Sequence, residues 1–278
     1  MRIRPACHAA VIVAGILALS ASAGFAQSAA ESAAEIARAG GCPGCDLEYA
    51  DLRGLAVETA DFTRSDLSDV DLKNSLLPGA RFAAADLRRA EMERSDVTAA
   101  DFTEARMDGA DLEKAQAARA VFAKARMRGV DLENLVANQA DFTGADLREA
   151  KLRRALLADA RLAEADLRGA DMERIDLSRA DLRAARLDRA DLDRADLTGA
   201  DLVDASLEGA RLTSADLTGA DLSDADLSGT RLRRTNLSSA DLRGARGLTQ
   251  RQLDLACGNA ETQLPRGFTL PLCRPAQP

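Results

Sequence analysis

The sequence predicts an all-β fold, a four-sided parallel β-helix in which about ten coils of 20 residues stack into a rod. A five-residue pattern with a large apolar residue at its centre recurs without a slip from Leu47 to Leu242. Five phenylalanines also stand 20 residues apart, with no other phenylalanine between residues 45 and 245: Phe62, Phe82, Phe102, Phe122 and Phe142. A spacing of 20 within a period of five indicates four units per coil, because only then does each phenylalanine lie above the previous one.

The five-residue unit reads Ala-Asp-Leu-x-x, as in residues 195–199. With its central residue called i, position i is Leu, Phe, Met or Val in 38 of 40 units, i−2 is Ala in 29 and i−1 is Asp in 23. A step of five turns an α-helix by about 140° and sends successive residues of a flat strand to opposite faces, so neither element gathers position i on one face. A short extended segment followed by a right-angle corner does, with i and i−2 inside.

Small residues fit the corners and the interior of such a coil. Glycine at i+2, as in Gly144 and Gly199, suits a corner that sometimes needs φ > 0. Coils that bond like parallel strands lie about 4.8 Å apart, which predicts a rod roughly 48 Å long. The interior is narrow, so one large and one small residue per unit fill it. Where the central residue shrinks to Ala137, its partner at i−2 grows to Leu135.

This repeat, in register from residue 45 to residue 245, resembles the pentapeptide repeats. The resemblance implies a right-handed β-helix and no single function. The best-known activity of that family is mimicry of DNA by acidic members that bind gyrase and protect against quinolones, so a DNA-mimic inhibitor of a topoisomerase is one alternative. The repeat carries a net charge of −11. Duplex DNA of the predicted length carries roughly 28 charges, so the charge density argues against this alternative.

Residues 1–26 have the pattern of a secretory signal peptide. Arg2 and Arg4 precede an apolar run from Ala9 to Leu19, and Gly24-Phe25-Ala26 gives a small-residue cleavage site. The run is too short to span a membrane and no later segment is apolar enough, so we expect no membrane span and a periplasmic or secreted protein. Cleavage leaves 35 basic and 45 acidic residues. This acidity argues against nucleic acid as a partner.

Short helical caps are predicted at both ends, because an open coil end exposes unpaired backbone groups. Ser28-x-x-Glu31 opens a helix closed by Gly40-Gly41. Thr249-x-x-Gln252 opens another, closed by Gly258. The predicted organisation is a signal peptide, an N-terminal cap, the β-helix, and a C-terminal cap with a disulfide-stapled tail: residues 1–26, 27–44, 45–245 and 246–278.

Four cysteines follow the signal: Cys42, Cys45, Cys257 and Cys273. The rod separates the two pairs by far more than the roughly 7 Å that a disulfide allows between Cα atoms, so the predicted disulfides join 42 to 45 and 257 to 273. The CxxC motif at residues 42–45 leaves a thiol-redox protein as a second alternative, because this spacing can lower a thiol pKa. Redox motifs accompany a βαβ pattern, which this sequence lacks, so a structural disulfide is favoured.

Nothing in the sequence indicates catalysis. A catalytic site needs convergent titratable groups in a concave pocket. His8 leaves with the signal, no other histidine exists, and the carboxylates are spread along a convex rod. We therefore predict no catalytic residue, no cofactor and no metal site. The aspartates at i−1 are interpreted as a solvated surface that also caps the corners.

The fourth side of the rod, which runs from residue 56 to residue 159 in six coils, is the predicted interaction face. Only four of its eighteen outward residues are charged, against fourteen and sixteen on two other sides. Leu76, Val136 and Leu156 share a column with Gln116 where Asp is usual, and an apolar patch rimmed by charge is typical of a binding surface. The alternative is a locally irregular side with Val136 turned inward. The sequence thus predicts a non-enzymatic exported scaffold that binds an unknown protein partner or forms a homodimer.

Overall fold

The computed structural model describes residues 35–273 as a four-sided coil joined by parallel bridges between the i−1 positions. Each bridged residue pairs with the residue 20 positions later, from Gly41 with Asp61 to Asp226 with Arg246. Each side of a coil contributes one bridged residue, so the sides are single bridges and not extended strands. The helical segments are residues 35–39 and Gln250–Leu253. Between residues 35 and 273 no helix is long and apolar enough to cross a membrane.

The unit centred on Phe82 shows how the backbone of a coil is satisfied. The N–H of Arg81 donates to the coil before it at 2.8 Å, and those of Phe82 and Ala84 donate to the coil after it at 2.6 and 2.9 Å. The N–H of Ala85 donates to the carbonyl of Phe82 at 2.9 Å and closes the corner. Four of the five N–H groups in a unit are therefore paired by other backbone groups.

Every corner holds its second residue in the left-handed region. All 41 residues at i+2 from Gly44 to Gly244 have φ between +54° and +72°, and only 12 of them are glycine. The prediction that the corner sometimes needs φ > 0 therefore understates the finding. Positive φ at the second central residue gives the corner type II character. A residue other than glycine costs about 1–2 kcal/mol there, and packing and hydrogen bonding must offset that strain.

The core of the rod contains positions i and i−2. Both are buried along the coil, and the five phenylalanines are fully buried. Their rings stack at centroid distances of 4.7–5.2 Å with interplanar angles of 5–11°, which confirms that each lies above the previous one. Leu135 and Ala137 are fully buried together, as the exchange of a large and a small residue predicts.

The first helical segment ends in a Schellman motif that leads directly into the coil. The N–H of Gly41 donates to Ile36 at 3.0 Å and that of Gly40 donates to Ala37 at 3.4 Å. A Cβ on Gly41 would lie 2.3 Å from the backbone nitrogen of Asp61, so only glycine allows this close approach. The predicted signal peptide and the Ser28–Glu31 capping box lie outside the described residues.

The helix Gln250–Leu253 begins with the predicted capping box. The N–H of Thr249 donates to the Gln252 side chain at 2.8 Å, and the N–H of Gln252 donates back to the Thr249 hydroxyl at 3.4 Å. The helix ends at Asp254, so the prediction that Gly258 closes it is wrong. Gly258 instead bridges to Leu272 in the returning tail. A Cβ there would lie 2.4 Å from the Leu270 side chain, so glycine serves a close approach and not a helix end.

Candidate functional site

The four predicted face residues stand in one column on the outside of the fourth side. The column is bridged in the order Leu76, Asp96, Gln116, Val136 and Leu156, one residue per coil. Leu76 and Leu156 are 53% and 41% exposed, Gln116 is exposed and Val136 is half-buried. Because Leu135 and Ala137 fill the core on either side of it, Val136 does not turn inward. We call Leu76, Gln116, Val136 and Leu156 the fourth-side column.

Aspartate at i−1 completes the corners elsewhere in the rod. Its carboxylate accepts the N–H of residue i+1 at 2.8–3.4 Å in all 23 units that carry Asp at this position. This is an Asx-turn, and it confirms the prediction that the aspartates cap the corners. With it, all five N–H groups of the unit are paired.

The fourth-side column lacks this cap. Two of its units replace the lost hydrogen bond by other means. Pro78, at i+1 of the first unit, has no N–H to satisfy. The N–H of Ala158, at i+1 of the last, donates to the Asn138 side chain of the coil below at 3.0 Å. The units of Leu76 and Leu156 therefore need no aspartate at i−1, whereas those of Gln116 and Val136 have no such replacement for the cap among the described residues.

The second and third sides, which begin at Asp66 and Asp71, are ion-paired surfaces. Arg148 Nε donates to Asp146 at 2.7 Å and holds the pKa of that carboxyl below its usual range. Burial, with Asp131 nearby, instead raises the pKa of Asp111. Charges of both signs alternate on these sides, so they form no continuous negative stripe of the kind a mimic of duplex DNA requires. Among residues 35–273, no three His, Cys, Asp or Glu side chains are arranged to hold a metal ion.

The CxxC motif is itself the first corner of the coil. Cys42 occupies position i and Cys45 the following small position, with Gly44 at φ +68° between them. The N–H groups of Cys42 and Gly44 donate to the next coil at 2.7 and 2.9 Å, so the regular register begins before residue 45. The two Cα atoms lie 5.6 Å apart, at disulfide distance. The motif follows the end of a helix and does not open one, so it lacks the helix N-terminus that lowers a thiol pKa in redox proteins.

The second cysteine pair fastens the tail to the end of the fourth side. The Cα atoms of Cys257 and Cys273 lie 4.7 Å apart, again at disulfide distance. Cys257 continues the ladder of bridged residues above Asn236, and the Cys273 sulfur lies 3.6 Å from the Ser238 hydroxyl. The tail of the chain therefore packs on the outside of the same side that carries the fourth-side column.

Sequence reasoning missed two surface features at the ends of the rod. Arg231, Arg233 and Arg251 line one cleft at the C-terminal end, although Arg251 belongs to the terminal helix. At the other end Tyr49 is 65% exposed. The sequence does contain one indication of the arginine-lined cleft, because Arg231 stands at i−1 where Asp is usual. Arg251 lies close to Arg231 and Arg233 because of how the residues after the repeat fold, and the five-residue period does not extend to those residues.

Comparisons with known proteins agree on one kind of repeat. The model of the family described as pentapeptide repeats matches eight copies, over residues 65–103, 98–134, 140–179, 175–213 and 210–246, which is more than half of the chain. HetL, a pentapeptide repeat protein involved in heterocyst differentiation regulation from the cyanobacterium Nostoc sp. strain PCC 7120, is 30% identical over 78% of this chain and 91% of its own, with a TM-score of 0.40.

Two other solved structures are similar in the same way. QnrB1, a plasmid-mediated fluoroquinolone resistance protein, is 19% identical over 65% of this chain and 92% of its own, with a TM-score of 0.46. A pentapeptide repeat protein of the Arabidopsis thaliana thylakoid lumen is 34% identical over 38% of this chain and 70% of its own, with a TM-score of 0.34. No curated protein sequence matches the chain.

Proposed function

Because the chain belongs to the pentapeptide-repeat family, whose fold is a right-handed four-sided β-helix, we propose that it is an exported, non-enzymatic scaffold that binds a protein partner through its fourth side. The rod would comprise about ten coils, with the short helical segments and the returning tail as its caps. A partner protein is the ligand class that a flat, weakly charged side of this length fits.

One observation carries this proposal, the fourth-side column. Every aspartate at i−1 caps a corner, whereas the units of Leu76 and Leu156 need no such cap, because Pro78 has no N–H and the N–H of Ala158 donates to Asn138. Leu76 and Leu156 expose 53% and 41% of their surface in place of aspartate. The exposed part of a leucine adds nothing to the stability of a monomer, whereas its burial against a partner would contribute roughly half of the 1.5–3 kcal/mol that complete burial of the side chain gives. A binding role explains why they stand there.

Two further observations support the proposal. The tail of the chain packs on the same side near Ser238, so that side accommodates an added segment of polypeptide. Both cysteine pairs lie at disulfide distance, and disulfides persist in the oxidising compartments that an exported chain enters. Export itself rests on the pattern of residues 1–26, and N-terminal sequencing of the purified protein should begin at Gln27.

The binding test compares matched variants. The double variant Leu76→Asp, Leu156→Asp should lose the proteins that the immobilised wild-type chain captures from a periplasmic extract. Its melting temperature should barely move, because aspartate suits position i−1. Val121→Asp places an aspartate at i−1 of the first side, which is the side that carries the five phenylalanines, and should capture the same proteins as wild type. If the double variant captures an unchanged set, the fourth side is not the binding face.

The two alternatives have tests of their own. Inhibition of gyrase by the purified chain would support DNA mimicry, and reduction of insulin that depends on Cys42 would support thiol-redox activity. No contact described above favours either one. The arginine pairs interrupt the negative charge, and the CxxC motif forms a corner behind a helix.

A further inference from the structure

The C-terminal end of the rod carries a cluster of arginines around one cleft. Arg231 and Arg233 project from the last unit of the third side, and Arg251 faces them from the terminal helix. Arg234 adjoins them, since its N–H donates to the carbonyl of Leu255 at 2.7 Å. All four side chains are exposed. We call these four residues, with the exposed Leu255 beside them, the arginine cleft.

These arginines lack the partners that other basic residues have. Of the 34 lysines and arginines in residues 35–273, 21 have a carboxylate oxygen within 4.0 Å. None of the four in the arginine cleft has one among the described residues. Arg231 is bridged to Arg211 of the previous coil, so like charges stack here. Negative charge from outside the molecule would relieve their repulsion.

The N-terminal end of the rod carries the opposite charge. Residues 41–60 contain four acidic residues and one basic residue, whereas residues 231–254 contain six basic and two acidic. Asp46, Glu48 and Glu58 have no basic group within 4.0 Å in the described part of the chain. Tyr49 is 65% exposed beside Glu48 on the second side, and Glu58 lies on the fourth side of the same coil. The nearby charges of Glu48 and Asp69 raise the pKa of its hydroxyl, as a local excess of negative charge does. We call residues Asp46, Glu48, Tyr49 and Glu58 the acidic rim.

We propose that these two ends dock onto each other between copies of the chain, the acidic rim of one copy against the arginine cleft of the next. Within one molecule the two clusters lie at opposite ends of the ladder. Its length of roughly 48 Å far exceeds the Debye length of about 8 Å at physiological salt, so they cannot neutralise each other. Another copy supplies the complementary charge for each end, and the contact does not use the fourth-side column.

The composition of the two ends fits such a contact. Each end exposes a large apolar side chain inside a charged cluster, Tyr49 at 65% and Leu255 at 54%. Docking would bury these two side chains at the centre and leave opposite charges around them, which is the usual arrangement of a protein interface. Because the two surfaces differ, the contact is heterologous and adds copies head to tail, as a filament or a closed ring.

Sedimentation velocity of the protein expressed from its full sequence tests the docking. At low salt it should form species larger than a monomer, and these should dissociate toward monomers near about 1 M NaCl, where the Debye length is about 3 Å. A cleft variant, Arg231→Glu, Arg233→Glu, Arg251→Glu, should weaken association by about tenfold or more. A rim variant, Glu48→Lys, Glu58→Lys, should do the same, and neither of its glutamates caps a corner.

Mixing the two variants gives the decisive result. Each variant alone has like charges at both ends and should associate at least about tenfold more weakly than wild type, whereas an equimolar mixture should assemble because every acidic end then meets a basic one. As a control, Arg94→Glu, Lys124→Glu, Arg154→Glu reverses three unpaired basic residues in the middle of the rod and should associate like wild type. Circular dichroism should show the same fold in all variants.

Three results would overturn the proposal: a wild-type monomer at low salt, association that survives the cleft variant, or a mixture that stays monomeric. The fourth-side variant separates this contact from the proposed function. If Leu76→Asp, Leu156→Asp abolishes capture of the partner while the salt-dependent association persists, both surfaces act independently. If it also abolishes self-association, then the copies meet through the fourth side and the head-to-tail contact fails.

Discussion

The two halves of the rod fill the same interior with different residues. In the first five coils the first side supplies phenylalanine, and the core residues of the fourth side that precede each one are Val57, Leu77, Val97, Ala117 and Ala137. In the coils that follow, both sides supply leucine, from Leu157 and Leu162 to Leu237 and Leu242. Nearly all of these residues are fully buried in both halves. Adjacent sides thus exchange volume, and the cross-section stays constant because the corners are identical.

The same division runs along the outside of the fourth side. The phenylalanine half carries three of the four fourth-side column residues, and Leu156 lies in the first unit of the leucine half. The rest of the leucine half carries Asp176, Asp196 and Asp216 at the corresponding positions, each capping its corner. The backbone frame therefore depends on the corner and its hydrogen bonds, and tolerates change in both the core and the outer column. Departures from the regular unit inside the core and on the outer column are therefore concentrated in the phenylalanine half.

Acid should produce the largest difference between the halves. Asp146 and Asp181 have folded pKa values lowered by hydrogen bonds from Arg148 and Arg183. Their contribution to stability is therefore present above the unfolded pKa of about 3.9 and is lost as pH falls through the folded value. Asp111, whose pKa burial raises, contributes with the opposite sign. Falling pH should thus weaken the corner caps that Asp146 and Asp181 provide.

The loss should be uneven along the rod. Asp occupies i−1 in 11 of the 18 units from residue 156 to residue 241, and in 12 of the 22 units from residue 46 to residue 151. Hydrogen exchange followed as pH falls below the ordinary Asp pKa of about 3.9 should therefore show that the leucine half opens before the phenylalanine half, because the contribution of the caps is lost through the lowered folded pKa values. Uniform opening of both halves would mean that the caps do not control local stability.

A double-mutant cycle should show the exchange of volume directly. Ala117→Leu adds atoms beside Phe122 in a filled core and should destabilise the protein by about 1–3 kcal/mol. Phe122→Leu removes atoms and should cost a similar amount through the gap it leaves. The double variant recreates the leucine–leucine pair of the second half, so its loss should be smaller than the sum of the two single losses by about 0.5–3 kcal/mol. Denaturant unfolding measures all three.

A distant pair provides the control for this cycle. Ala117→Leu combined with Phe62→Leu changes the same kinds of residue three coils apart, and effects at that distance should add to within about 0.5 kcal/mol. Additive losses for the adjacent pair as well would show that each side of the coil relaxes alone, and the constant cross-section would then have another cause.

The sequence predicts most of this fold because the period records the backbone. A period of five residues combined with a second period of 20 residues predicts the four-sided coil, the stacked phenylalanines and the inward positions. None of these predictions depends on the residues at the two ends of the rod. The pattern also predicts the role of the aspartates, since a carboxylate two residues before an unpaired N–H is a local feature. The fourth-side column is visible as well, because it is a set of exceptions to a strict rule.

The features that the sequence does not predict are those that depend on contacts outside the period. Residues such as Arg94 and Lys124 adopt positive φ against their intrinsic preference, because the stacked neighbours fix the corner. The CxxC motif lacks the leucine and alanine of the unit, so its place as the first corner is hidden. The helix ends at Asp254, and Gly258 serves a close approach to Leu270, because the tail folds back.

The smallest expected effect tests whether the corners really are the same in both halves. Ala84 and Ala184 stand at i+2 on the first side, five coils apart, and both have φ of +54°. A non-glycine residue there costs about 1–2 kcal/mol, while glycine loses about 0.5–1 kcal/mol of chain entropy on folding. Ala84→Gly and Ala184→Gly should therefore each stabilise the protein by up to about 1 kcal/mol, and by equal amounts. Ala85→Gly, at a buried i−2 position with negative φ, should destabilise it. Thermal unfolding measures the gain in stability at each corner. Unequal gains would show that the stacked phenylalanines strain the backbone around them, so that the corners and the core are coupled.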